Sequence, residues 1–170
     1  MAWTTSKMFR QWWADLVVGT IANTGSPSSS LTVASALKAA LYDNSITPDG
    51  DTVAASSAYS AGVWVATGGQ TGTAQVFHTG QWAQAGVVLP ATAVTVVAGG
   101  IIQFTSGNIV SGAAATMSNI YGMQLYIDAL VTPVAKQGLG FWYFGGTAFA
   151  VTAGTLTISA NASGLFRLTV

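Results

Sequence analysis

"GTLTISANASGLFRLTV", residues 154–170, is the stretch on which the fold turns. Leu156 and Ile158 fall on one side of an extended chain, and Thr155, Thr157 and Ser159 on the other. That period of two marks a half-buried strand. Residues 161–164 supply a turn, after which Phe166, Leu168 and Val170 alternate with Arg167 and Thr169. The pattern predicts a hairpin pairing residues 155–160 with 165–170. A second hairpin is expected where Gly99-Gly100 separates the β-branched runs 92–98 and 101–105.

Outward from these, residues 37–43, 62–66, 74–78, 122–128 and 140–144 also read as strands. Many short strands with Gly-rich turns predict a mainly β chain, an antiparallel β-sandwich or barrel-like domain over residues 35–170. Within it, "ALYDNSITP" (40–48) and "QLYIDALVTP" (124–133) share a Leu-Tyr strand end, an Asp and a Thr-Pro. Two matches make no repeat architecture, but they suggest one strand-to-turn solution used twice.

Ahead of the strands, the sequence predicts an N-terminal amphipathic helix over residues 5–18. Met8, Phe9, Trp12, Trp13, Leu16 and Val17 recur at helical spacing, with Lys7, Arg10, Gln11 and Asp15 on the other side. Thr5 or Ser6 can cap its start and Gly19 its end. "NTGSPSSS" (23–30) consists of turn formers. The expected organisation is a helical arm (1–22), a linker (23–34) and the β domain (35–170). A helix this short is marginal alone in water, so its apolar side must lie against something. That something is either its own sheet or a neighbour, which makes Met8, Phe9, Trp12, Trp13 and Leu16 candidate interface residues.

Charge is scarce. Lys, Arg, Asp and Glu make up 6% of the 170 residues, against about 25% in ordinary soluble domains. Five Asp balance five Lys and Arg, and residues 52–127 carry no formal charge. A net charge of zero argues against a nucleic-acid partner. The apolar run 87–104 is broken by Pro90, Thr92, Thr95 and Gly99-Gly100 and lacks cationic flanks, so no membrane span is expected. Asp15 interrupts the early apolar stretch, which argues against a secretory signal. So few charges fit either strand faces rich in hydroxyls and amides, or a surface largely covered by partners.

Chemistry has little to work with. "ALYDNSITPDGDT" (40–52) holds Asp43, Asp49 and Asp51, yet a calcium loop needs a closing bidentate acid that is missing here. Pro48-Asp49-Gly50 reads as a turn. The single histidine, His78 in "VFHTGQW", sits among apolar residues and reads as structural; no Cys and no GxSxG motif are present. No catalytic residue, metal ligand or cofactor is expected. Six Trp, five Tyr and seven Phe are the remaining resource, including the ring-dense "FWYFGG" (141–146), read as core plus interface.

With these stretches assembled, the chain resembles small virion proteins of tailed bacteriophages, mainly those of actinobacterial hosts. The likeness rests on "LKAALYDNSITPDGDTVAASSAY" (37–59), "GVWVATGG" (62–69) and the ending that runs from "NIYGMQLYID" (119–128) to "GLFRLTV" (164–170). It covers roughly residues 35–170, leaves the helical arm outside and carries no active-site residue. It implies a non-enzymatic minor capsid (decoration) protein, or a minor tail protein. Its partners would be the major capsid protein and copies of itself, and its location the virion after synthesis in the host cytoplasm. From another class, a carbohydrate-binding module would need exposed Trp and Tyr rings.

Overall fold

Two aliphatic runs, LKAALY and GMQLYI, form the centre of the largest sheet as strands β2 (Leu37–Tyr42) and β10 (Gly122–Ile127). They pair antiparallel, from Gly122 opposite Tyr42 to Ile127 opposite Leu37. The two echoing Leu-Tyr segments are therefore neighbours in one ladder. All of β10 is buried, and only Lys38 in β2 is not, so both faces of this centre are covered. The computed structural model describes residues 3–18 and 37–169, with the side chains of residues 16–18 excepted. The expected linker (23–34) lies outside them.

On one side β10 pairs with β11 (Gly138–Tyr143), and β1 (Lys7–Met8) closes that edge. On the other side, β4 (Gln75–Val76) and β5 (Val87–Val88) share the free edge of β2. Beyond β4, β3 (Gly68–Gly69) forms the one parallel pairing among the described strands. Three smaller antiparallel sheets complete the described residues. The first orders β14 (Phe166–Thr169), β7 (Ile101–Thr105) and β6 (Ala93–Val97). The second joins β12 (Phe149–Gly154) to β9 (Ala115–Ile120), and the third joins β13 (Thr157–Ile158) to β8 (Ile109–Val110). The described chain is thus mainly β, with several antiparallel sheets and two short helices, α1 (Arg10–Val18) and α2 (Ala54–Ser57).

Trp64 is the hub of the core. Its ring meets Trp3, Phe9, Tyr42 and Phe141 at centroid distances of 5.1 to 5.9 Å, mostly edge to face, the arrangement that ring quadrupoles favour. Gly122 makes room for this packing. A Cβ there would stand 2.5 Å from both the Trp142 carbonyl and the Trp3 ring. Burial pushes the hydroxyls of Tyr42, Tyr59 and Tyr126 above their usual pKa. Each donates to a backbone carbonyl, of Trp64, Gln84 and Ala85 respectively.

Three expectations are corrected. The C-terminal strands do not pair with each other: β13 pairs with β8 and β14 with β7. The turn at 161–164 forms, with Gly164 N–H donating to the Asn161 carbonyl, but it delivers the chain to a different sheet. There Phe166 stacks on Phe104 at 4.8 Å. The helix starts at Arg10, not residue 5, because Lys7 and Met8 pair with Phe141 and Gly140. Ladder bonds to an existing sheet outweigh one more turn of helix. Residues 62–66 form no strand; Ser60 N–H closes a turn onto the Trp64 carbonyl. The Gly99-Gly100 hairpin does form, with Val97 opposite Ile101 and both glycines at positive φ.

Candidate functional site

The three aspartates of residues 40–52 point to three separate tasks. Asp43, at the end of β2, is buried, and its carboxylate accepts from Ser45 N–H at 2.8 Å, Ser45 Oγ at 2.5 Å and Ala74 N–H at 3.2 Å. Asp49 accepts from Asp51 N–H at 2.9 Å, a side chain capping its own turn. Asp51 forms an exposed ion pair with Arg10 at 2.9 Å. Among the described residues no group of three or more His, Cys, Asp or Glu converges. The stretch works as a strand end and its turn.

Asp43 is therefore a structural acceptor, and its loss has a definite expected cost. Asp43→Ala strands buried donors, at about 1–3 kcal/mol each. It should lower the melting temperature by several degrees. Asp43→Asn, which keeps one acceptor oxygen, should lose less. A chelator should leave the wild-type melting temperature unchanged, and a fall reversed by calcium would restore the metal reading.

His78 is likewise committed. Its Nδ1 accepts from the Thr116 backbone N–H at 2.9 Å, which ties the loop after β4 to β9. The aromatic resource is spent in the same way: none of the six Trp and five Tyr is exposed. An open groove of about 230 Å³ between β12 and β13 is lined by Ile120, Phe144, Phe149, Leu156, Thr157 and Ile158. It carries no titratable group.

The candidate interface residues of the N-terminal segment divide. Phe9 and Trp12 are fully buried in the core of their own chain. Met8 and Trp13 are half-buried against it, and the Leu16 side chain lies outside the described residues. The segment is stitched down along its length. Trp3 Nε1 donates to the Asp43 carbonyl at 2.6 Å, Phe9 N–H to Leu139, Arg10 N–H to Gly50, and Gln137 Nε2 to the Asp15 carboxylate at 2.8 Å.

The surface feature that sequence reasoning did not localise is the near absence of charge from the three small sheets. Of the chain's ten formal charges only Arg167 lies in those sheets, and it donates to the Ser163 carbonyl. Val94, Val96, Val97, Val110 and Phe149 are exposed there. Strand β6 is the extreme case, exposed from Val94 to Val97 on both faces, with Val96 78% exposed. The uncharged run signalled this composition but not its place, since burial of a strand face depends on partners far away in sequence. No family model, curated protein or solved structure matches the chain.

Proposed function

We propose that this chain is a non-enzymatic structural protein of a tailed-phage particle. In this reading it is a minor capsid (decoration) protein that docks in many copies on the major capsid protein. The observation that carries the proposal is the exposed, uncharged strand β6 with Val94, Val96 and Val97 open to solvent, in a set of small sheets that holds a single formal charge. Permanent interfaces are depleted of charge and rich in apolar surface, whereas monomers seldom leave such surface open. The resemblance of residues 35–170 to phage virion proteins supplies the particle. The architecture would be a β-sandwich, with α1 as an amphipathic helix seated on it through Trp12. Docking through the N-terminal segment would fall to Met8 and Trp13, since Phe9 and Trp12 are already enclosed.

The carbohydrate-binding alternative has a narrow basis in the rings, because stacking needs an open aromatic face and only Trp13, Tyr121, Trp142 and Tyr143 are half-buried rather than buried. Reconstruction of particles that contain this chain tests the proposal. Density for it at repeated positions on the capsid lattice is the expected result. Density confined to the tail would make it a minor tail protein, and particles complete without it would overturn the virion reading.

A further inference from the structure

Sheet edges with open backbone groups invite pairing with another chain, and proteins ordinarily blunt them with charge, Pro, bulges or brevity. Most edges here are blunted. β1 carries Lys7 and has two residues, β3 is Gly-Gly, and β14 carries Arg167. β12 has two register shifts and a positive φ at Ala153. β6 has none of these devices. It holds five residues in unbroken register with β7, from Ala93 opposite Thr105 to Val97 opposite Ile101, and its other side is open.

The faces of this sheet are unequal. Val94, Val96, Ile102, Phe104, Phe166 and Leu168 share one face through the paired registers and are all apolar. Trp13 closes the inner end of that face against Phe166 at a centroid distance of 6.3 Å. Toward β6 it opens, with Val94 38% and Val96 78% exposed.

We infer that β6 is a self-pairing edge: two copies of this chain join antiparallel along it into one six-stranded sheet. Charge decides the occupant. The edge has no formal charge to attract a charged partner, so its mate must be neutral, and β6 is itself a neutral, regular strand of matching length. A two-fold axis through Thr95 sets Thr95 against Thr95, with Val94 against Val96 and Ala93 against Val97 as apolar pairs on either side. The apolar faces of the two sheets then become continuous. Ten residues in two strands fall short of the roughly 1,000 Å² that a stable interface buries, so the pairing is a weak one that a lattice would multiply. The inference rests on the edge alone and holds whatever particle the chain belongs to.

The described residues contain no cysteine, and the sequence has none, so one introduced thiol is unique. Directly opposed residues of an antiparallel pair have Cα atoms about 4.5–5.5 Å apart, within disulfide reach. Thr95→Cys should therefore oxidise to a covalent dimer at micromolar concentration. Val97→Cys, displaced from its own copy by four residues, should cross-link at least about tenfold less. Val96→Lys should weaken dimerisation in sedimentation by at least about tenfold through like-charge repulsion while leaving the circular dichroism unchanged. Failure of Thr95→Cys to cross-link, equal cross-linking of Val97→Cys, or undiminished association of Val96→Lys would each overturn the self-pairing edge.

Discussion

Replacing Trp64 with alanine should lower the melting temperature by about 10 °C or more. Large-to-small changes at a buried Trp cost about 3–5 kcal/mol, and each kcal/mol moves the midpoint of a chain this size by about 2–4 °C. The upper end is expected here because the ring meets four other aromatics at once, and none of them can close the gap without breaking its own packing. Trp64→Phe, which keeps part of the volume, should recover about half the loss. Thermal unfolding followed by near-ultraviolet circular dichroism measures both. A fall of less than about 3 °C for the alanine variant would mean that the hub is dispensable.

Deleting residues 1–22 should unfold the domain. The deletion removes Trp3, Phe9 and Trp12 from the core, at about 1.5–3 kcal/mol for each buried side chain. The sum approaches the whole stability of a typical domain, about 5–15 kcal/mol. It also strips β1 from β11 and removes the indole donor to the Asp43 carbonyl. Loss of cooperative unfolding is the expected outcome. A truncated chain that stayed folded yet no longer bound particles would instead make the segment a detachable docking arm.

Sequence patterns revealed the elements whose surroundings are local and missed those set from afar. β2 and β10 were legible because aliphatic runs of six residues mark strands covered on both faces. The β6–β7 hairpin was legible because Gly99-Gly100 fits only a tight turn. Residues 62–66 show how a true pattern misleads. Val63 and Val65 are exposed and Trp64 is buried, so the period of two is real, but the backbone closes on itself rather than on a neighbour. The C-terminal pair failed for the complementary reason: its turn was read correctly, while its partners, β7 and β8, lie about 50 to 65 residues earlier. At the acidic stretch, the missing closing carboxylate foretold a turn, and Asp49 caps one. That Asp43 would anchor Ala74 could not be read from spacing.

The pairing of β1 with β11 also sets a schedule. Lys7 waits for Phe141, and Ser6 Oγ, which accepts from Tyr143 N–H at 2.9 Å, waits for a residue still later. At translation rates of about 5–20 residues per second, the opening strand leaves the ribosome's catalytic centre roughly 7–30 s before its mate is made. Through that interval Trp3, Phe9 and Trp12 have no finished core to enter, so a nascent chain must shield them by transient collapse or by a chaperone. Trp3, Phe9 and Trp12 thus find their places only once β11 has been made, although they are synthesised long before it.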